Sequence, residues 1–265
     1  MKDYFTYNEG TDITNGAFRI SASQISRFFD STSQWYREFM LGESGFEGST
    51  ASELGTCVHA AAAMYIDDKT VYYDQIDNYI DSITNPLVEK SLIQEQYPLM
   101  VDALVAYLED HTFSESESFL WKELQPGIGV GGSCDARRGD IVVDFKTTSS
   151  KTPPKTFQRS YWFQCMVYAW LYKQQGIDIK FIQLVYITRS ETGRVSEKTG
   201  KPLKDYPSQT SIVTEPVTEE SLALIESCIH LITESVEAWN AHPELHHILA
   251  QDMRLKAKPA PLIFK

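Results

Sequence analysis

The sequence GGSCDARRGDIVVDFKTTSS occupies residues 131–150 and carries the pattern on which our fold prediction depends. Asp135 ends a glycine-rich strand, and Asp144 and Lys146 lie two residues apart on the next predicted strand. Residues i and i+2 of a strand project to the same face, so Asp144 and Lys146 project together while Phe145 projects into the opposite layer. A hairpin between the two strands would bring Asp135 close to this pair.

These side chains suit the binding of a divalent cation and the hydrolysis of a phosphodiester. Two aspartates offer hard oxygen ligands for Mg²⁺ or Mn²⁺, and the lysine offers an ammonium beside the attacking water. The apolar run 141–143 leads directly into Asp144 and Lys146, and buried charges are costly unless a partner such as a metal is present. An isolated Asp-x-Lys is more often a solvated strand end, so the interpretation needs further residues.

The flanking segments predict a sheet with a helix packed on it. FLWKELQ (119–125), the segment around GIGVGGSCDA (127–136) and DIVVDFKTT (140–148) predict three strands of an antiparallel meander. Residues 156–175 predict a long helix closed by Gly176, followed by the apolar strand IKFIQLVYIT (179–188). SIVTEPV (211–217) predicts a short strand.

Helical patterns precede and follow this sheet. Ser21 or Ser23 is placed to cap a short helix, and ASELGTCVHAAAAMYI (51–66) predicts a buried helix that carries His59. Between residues 73 and 110 apolar positions recur at helical spacing, with Pro86 and Pro98 as expected helix starts or breaks.

Thr218 is placed to cap a C-terminal helix, and its apolar stripe has two interpretations. We favour packing on the protein's own sheet, with a subunit seam as the alternative. The stripe contains Leu222, Ile225, Ile229, Ile232, Val236 and Trp239.

These elements predict an α/β fold with a central mixed β-sheet flanked by helices and with helical additions at both ends. We expect one domain over residues 1–265. Its parts are a helical N-terminal part (20–110), a catalytic core (117–187), a loop or hairpin (188–216), and a C-terminal helix and tail (217–265).

Composition limits the class of protein. The 265 residues contain no apolar run long enough to cross a membrane and begin without a signal-peptide pattern, so we expect a cytoplasmic protein with no membrane partner. The four cysteines form no CxxC pair and are interpreted as buried reduced thiols. A net charge of −12 argues weakly against nucleic acid, because a local basic groove can coexist with an acidic exterior.

Taken in order along the chain, these motifs resemble the PD-(D/E)xK nuclease superfamily, in the branch of RecB-like and exonuclease VIII-like, phage-type exonucleases. The similarity runs from about residue 20 to residue 187. Its pieces are SAS at 21–23, GTCVH at 55–59, Glu123 in WKEL, GGSCD at 131–135, DFK at 144–146 and QCMVY at 164–168.

The resemblance implies a role for each matching residue. His59, Asp135, Asp144 and the carbonyl of Phe145 would bind the metal. Lys146 would orient or activate water. Gln164, Tyr168 and Glu123 would complete the catalytic set. Some relatives carry an iron–sulfur cluster on one early cysteine and a late cysteine triplet; only Cys228 lies late here, so we expect no cluster.

The function implied is a Mg²⁺- or Mn²⁺-dependent DNA exonuclease that acts on duplex ends in phage or prophage recombination. A single-strand annealing protein and a ring-shaped homo-oligomer are the further expected partners. The alternatives are an endonuclease or CRISPR-adaptation-like nuclease of the same fold, and a catalytically silent DNA-binding or assembly module.

Contacts to the DNA backbone are expected from the segment ITRSETGRVSEKTGKPLKDYPSQ (187–209), which has five basic and three acidic residues. A solvated hairpin without a ligand is the alternative, with Arg27, Arg37, Arg137 or Arg138 then contacting phosphate. The residues predicted to bind DNA are Ser23, Arg37, Arg194, Lys198, Lys201 and Lys204.

Overall fold

The computed structural model describes residues 2–5, 11–43, 48–196 and 198–250. The predicted C-terminal tail over residues 251–265, and Glu197 of the predicted DNA-binding segment, lie outside the described residues.

A six-stranded mixed sheet forms the centre of the fold. The strand order is β1-β3-β4-β5-β6, and β2 pairs with β3 off this path. β1–β3 and β4–β5 are parallel, whereas β2–β3, β3–β4 and β5–β6 are antiparallel. The strands are β1 (Phe18–Ser21), β2 (Glu115–Gln125), β3 (Ile128–Arg138), β4 (Ile141–Thr148), β5 (Phe181–Thr188) and β6 (Thr210–Pro216).

Helices cover both faces of this sheet. The described helices are α1 (Thr11–Thr14), α2 (Ile25–Asp30), α3 (Thr32–Trp35), α4 (Thr50–Asp68), α5 (Tyr73–Ser82), α6 (Lys90–Glu109), α7 (Arg159–Gln174), α8 (Glu219–Ala241) and α9 (His246–Ala250). None of the helices in the described ranges combines the length and the apolar composition that a bilayer-spanning helix requires.

Strand alternation divides the core into two layers. Val142 and Leu184 belong to the core shared with α7 and α8, while Val143, Phe145 and Val185 belong to the core shared with α4 and α6. Successive side chains of β4 therefore serve opposite layers, as strand geometry requires. The predicted separation of Phe145 from Asp144 and Lys146 is confirmed. So is the predicted α/β architecture with a helix-flanked mixed sheet.

Two interpretations of the helices are decided by burial. The apolar stripe of α8 is buried within the protein's own core, so the alternative of a subunit seam is wrong. Pro98 neither starts nor breaks a helix, because it lies inside α6. Proline removes one backbone hydrogen bond, but the neighbouring Tyr97, Met100 and Val101 are buried and hold α6 together across the gap. The four cysteines are free and buried, as predicted.

The glycines of β3 make room for Trp121 on β2. Trp121 is the cross-strand partner of Gly131. A Cβ atom at Gly131 would lie 2.5 Å from the Leu120 carbonyl oxygen and 2.9 Å from the Trp121 ring. The glycine-rich sequence before Asp135 is thus required for close packing, and it fixes the β2–β3 pair that positions Asp135.

We predict that Gly131→Ala lowers the free energy of unfolding by about 1–3 kcal/mol, the range for forcing extra volume into a packed site. Urea denaturation of the purified variant measures this change. Gly55→Ala on α4 is the matched control, because its Cβ would meet only Thr147 Oγ1 at 3.5 Å, an ordinary contact. That variant should be unchanged or more stable by up to about 1 kcal/mol. Equal stability of the two variants would contradict the packing argument.

Candidate active site

The candidate site lies where β3 and β4 separate. Their backbone pairing ends at Ala136↔Val143, while β4 stays paired with β5 through Thr148. The Phe145 N–H donates to Asp135 Oδ2 at 2.8 Å. Cys134 belongs to the α7 core and Ala136 to the α4 core, so β3 changes face at Asp135. The separation opens a gap in which side chains from both layers can meet.

Three side chains meet at this gap with the geometry of a metal site. His59 on α4, Glu117 on β2 and Asp135 on β3 each place one ligand atom within 4.8 Å of the others. His59 Nδ1 lies 3.4 Å from Asp135 Oδ2. The sequence predicted the convergence of His59 and Asp135, and did not identify Glu117.

Asp144 and Lys146 lie beside this cluster on the α7 face of β4. Asp144 is fully buried, and Lys146 Nζ lies 2.6 Å from Asp144 Oδ2. Neither Asp144 oxygen has a hydrogen bond of good geometry within the described ranges, since the contact with Lys146 is close but poorly aligned. The Lys146 ammonium balances the charge of this buried carboxylate, while Asp144 Oδ1 is left without a hydrogen-bond donor among the described residues, which is unfavourable for a buried oxygen.

The pKa values of these groups are shifted by burial and by mutual interaction. Burial raises the pKa of Asp144 to about 6, and burial together with Asp135 raises the pKa of Glu117 to about 7. Burial would lower the pKa of His59, but the Asp135 carboxylate outweighs it and raises that pKa to about 9. Burial opposes ionisation of Asp135 too, yet His59 and Lys146 hold its pKa below the usual value.

Glu117 occupies the position that the sequence analysis assigned to Glu123. The neighbours of Glu117 on β2, Ser116 and Ser118, pair with Ala136 and Cys134, so Glu117 lies opposite Asp135. Glu123 pairs with Gly129, and its Oε1 accepts from the Gly127 N–H at 3.2 Å. Six residues of strand, roughly 20 Å, separate the two glutamates.

The backbone of Glu117 supports this assignment. Its φ of 45° is a left-handed conformation that non-glycine residues rarely adopt. Such strain is often retained at functional sites. Counting back from the Pro126–Gly127 turn, where Gln125 pairs with Ile128, would place Ser118 opposite Asp135; the register shift between Glu123 and Gln125 brings Glu117 there instead.

The helix α7 contributes the predicted Gln164 and Tyr168 to the same region. Gln164 Nε2 donates to Tyr168 Oη at 3.4 Å, so the two side chains face one another across one helical turn. Tyr168 is buried, and a Cβ atom at Gly132 would lie 3.4 Å from its hydroxyl. Tyr168 therefore packs directly against β3 at Gly132, three residues before Asp135.

A cleft of about 660 Å³ gives access to the cluster. The predicted Ser23 lies in its wall, and residues 2–5 form another wall. Lys2 Nζ lies 2.6 Å from Asp67 Oδ2, Tyr4 Oη donates to Asp68 Oδ2 at 2.9 Å, and Phe5 stacks on Tyr79 with ring centroids 4.2 Å apart. The cleft lining includes His59, Glu117, Asp135, Gln164 and Tyr168.

The other residues predicted to bind DNA do not line this cleft in the part of the chain that is described. Arg37 pairs with Glu43 at 2.7 Å, and Arg194 pairs with Glu191 at 2.6 Å. Lys198, Lys201 and Lys204 are exposed on the hairpin between β5 and β6. Among the alternative arginines, Arg27 and Arg137 pair with Glu38 and Glu115.

The donor set fits a divalent cation. Two carboxylates and one imidazole converge, and the buried carboxylate of Asp144, whose Oδ1 has no hydrogen-bond donor among the described residues, lies beside them. Carboxylate oxygens suit Mg²⁺ and Mn²⁺, and the imidazole adds one nitrogen donor to them. His59, Glu117, Asp135 and Asp144 are therefore the residues that would hold the ion.

Comparison with solved structures finds one that shares the fold, and two further structures that are less similar. A protein of Eubacterium rectale that is named as a candidate exonuclease matches with a TM-score of 0.56 and 16% identity, over 96% of this chain and 94% of that chain. A phage-related exonuclease of Haemophilus somnus gives 0.42 and 11%, over 84% and 99% of the two chains. An alkaline exonuclease of Laribacter hongkongensis gives 0.38 and 14%, over 74% and 97%.

No curated protein matches the sequence. The family model described as the PD-(D/E)XK nuclease superfamily matches residues 19–246, a span that includes His59, Glu117, Asp135, Asp144, Lys146 and both α7 residues. The match covers most of the chain, and the motifs on which the resemblance was based, apart from Glu123, contribute residues to the gap between β3 and β4 or to the cleft beside it. The chain belongs to the PD-(D/E)XK nuclease superfamily.

Proposed function

We propose that this protein is a divalent-metal-dependent exonuclease that hydrolyses phosphodiester bonds of DNA. The observation that carries the proposal is the convergence of His59, Glu117 and Asp135 beside the buried ion pair of Asp144 and Lys146. Membership of the nuclease superfamily supports the reaction class. Mg²⁺ is the ion we favour, with Mn²⁺ as the alternative.

In the proposed reaction, a water oxygen forms a bond to phosphorus and the bond from phosphorus to the 3′ oxygen breaks. A divalent ion at this site would act as a Lewis acid toward the phosphate oxygens. Burial would lower the pKa of Lys146, but the carboxylates of Asp144 and Asp135 outweigh burial and raise it. Lys146 therefore acts as a cation that orients water and stabilises negative charge in the transition state.

Other side chains place the substrate. Gln164 and Tyr168 offer an amide and a hydroxyl in the cleft, and Ser23 offers a second hydroxyl. We propose that these three groups form hydrogen bonds with the sugar–phosphate backbone near the scissile bond. The carbonyl of Phe145 is assigned to the metal shell by the family resemblance, and its N–H is already used by Asp135.

An exonuclease is preferred over an endonuclease because residues 2–5 lie against one side of the cleft. Two polar contacts, to Asp67 and Asp68, and one ring stack hold this wall in place. A wall beside the metal ligands favours a substrate that enters by an end over one that passes straight through. We further propose that the substrate is a duplex end and that the enzyme acts in phage or prophage recombination. A single-strand annealing protein is the partner we propose for it.

We assign part of DNA binding to the hairpin between β5 and β6. Its two arms pair at Glu191↔Tyr206 and Val195↔Pro202. The hairpin begins beside the catalytic strand, because the Arg189 N–H donates to the Thr148 carbonyl at 2.9 Å. Lys151 and Lys204 both lie over the ring of Tyr206, at 4.9 and 5.1 Å from its centroid. Cations are thus concentrated close to the end of β4.

Residues 1–265 are proposed to act as one nuclease domain in the cytoplasm, and a ring-shaped oligomer stays a prediction. An endonuclease, a CRISPR-adaptation-like nuclease and a silent DNA-binding module are the alternatives. A nuclease assay and size-exclusion chromatography of the purified protein address these points together.

We predict Mg²⁺-dependent release of nucleotides from end-labelled linear duplex DNA and no cleavage of covalently closed circles. Asp144→Asn and Lys146→Ala should each lower the rate at least about 100-fold, because both groups act in the transition state. Lys122→Ala is the matched control, since Lys122 is exposed on β2. Cleavage of circles would establish an endonuclease. If no DNA is cleaved, the alternative of a catalytically silent DNA-binding module would be favoured.

We also predict that metal binding releases protons. At pH 7, His59 with a pKa of about 9 is largely protonated, Glu117 with a pKa of about 7 is half protonated, and Asp144 with a pKa of about 6 is partly protonated. Ligands bind metal in their deprotonated forms, so affinity should rise between about pH 6 and pH 9. Calorimetry of Mg²⁺ or Mn²⁺ binding in two buffers of different ionisation enthalpy measures the protons. Identical heats in both buffers would contradict this expectation.

Neutralising Lys198, Lys201 and Lys204 together should weaken DNA binding at low salt and flatten its salt dependence, because fewer counterions are released. Fluorescence anisotropy in Ca²⁺, without turnover, measures both quantities. The matched control is a triple variant of Lys69, Lys122 and Lys180, which are exposed and lie outside the hairpin. If the salt dependence of DNA affinity is unchanged in the hairpin variant, the hairpin is a solvated loop that does not bind DNA.

A further inference from the structure

Lys146 needs contacts other than Asp144. In the structure its ammonium lies 2.6 Å from Asp144 Oδ2. The proposed function uses the same carboxylate as a metal ligand. Once Asp144 coordinates a dication, its charge is shared and the ammonium is repelled by the ion. The side chain must then be held by groups that do not bind metal.

Tyr161 on α7 offers the first such group. The Lys146 Nζ lies 5.0 Å from the centroid of its ring, within the range of a cation–π interaction. Tyr161 precedes Gln164 by three residues and Tyr168 by seven, so the three side chains share one face of α7. That face is the one directed at the candidate site.

Tyr186 on β5 offers the second group. It is the cross-strand partner of Lys146 in the parallel β4–β5 pair, so the two side chains project to the same face. Tyr186 is 2% exposed, and its hydroxyl is buried without a hydrogen-bond partner among the described residues. A buried hydroxyl beside an ammonium is an available acceptor, and leaving it unpaired is unfavourable.

We propose that Tyr161 and Tyr186 are positioning residues for Lys146: the ring of Tyr161 and the hydroxyl oxygen of Tyr186 hold its ammonium when Asp144 serves as a metal ligand. The inference rests on the proposed function, because it assigns Asp144 to the metal. It adds two aromatic residues, one on α7 and one on β5, to the groups that set the orientation of Lys146.

The first test measures metal binding without DNA. Lys146 and the metal compete for Asp144. Removing a group that holds the displaced ammonium should therefore weaken metal binding. Tyr161→Leu and Tyr186→Phe should each lower the Mg²⁺ affinity measured by calorimetry by about three- to tenfold, as expected for one cation–π contact or one hydrogen bond. In a Lys146→Met background both losses should disappear, because no ammonium has to be relocated.

The second test measures turnover. Tyr161→Leu and Tyr186→Phe should lower kcat and leave KM unchanged, because Lys146 acts on the transition state. Tyr161→Phe should recover most of the turnover lost in Tyr161→Leu, because the ring is kept. Tyr65→Leu is the matched control: Lys69 Nζ lies 5.5 Å from its ring centroid, outside the cleft, so neither kcat nor Mg²⁺ affinity should change.

The two proposals fail in different ways. Mg²⁺ affinities unchanged in Tyr161→Leu and Tyr186→Phe, or losses that persist in the Lys146→Met background, would overturn the role of the tyrosines. A wild-type protein that binds Mg²⁺ but does not cleave DNA would remove the proposed activity, while the affinity measurements would still decide whether the tyrosines position Lys146.

Discussion

The hydrogen bond from the Phe145 N–H to Asp135 Oδ2, at 2.8 Å, takes the place of the next backbone bond between β3 and β4. Continuing the register of these strands would set Cys134 against Phe145 and close the sheet. With the carboxylate as acceptor, the strands separate while every donor at the junction stays paired. His59 can then approach from the α4 layer, and Lys146 from the α7 layer. Without this gap the two sets of side chains would be divided by the sheet.

Two carboxyl groups at the gap resist ionisation when no metal is present. Burial holds the pKa of Asp144 at about 6 and contributes to a value of about 7 for Glu117, so the protein holds protons there that free side chains would lose. These raised values are the electrostatic sign of a site arranged for a cation. An acidic exterior and a net charge of −12 are compatible with this centre, because the cations that we propose to contact DNA lie on one hairpin and at the end of β4.

The sequence predicted the sheet, the helix α7 and the grouping of Asp135, Asp144, Lys146, His59 and Gln164. Those predictions succeeded because alternation along a strand and the order of the motifs depend on local spacing. Glu117 was missed, because its selection over Glu123 depends on the register of β2 against β3, which a single strand does not reveal. Pro98 was misinterpreted because tertiary packing outweighs the loss of one helical hydrogen bond. Tyr161 and Tyr186 carry no motif; only the folded chain brings them to Lys146.

Two hydrogen bonds fix the base of the β5–β6 hairpin. The Arg189 N–H binds the Thr148 carbonyl, and the Ser190 N–H donates to the buried Gln96 side chain on α6 at 2.9 Å. Both hydrogen bonds lie before the first exposed residue of the tip. The tip can therefore change in length or sequence without moving the proposed metal ligands. Under the proposed function, substrate preference and chemistry are therefore separable in this protein: evolution, or an engineer, can exchange the hairpin residues proposed to bind DNA while the residues of the candidate active site stay in place.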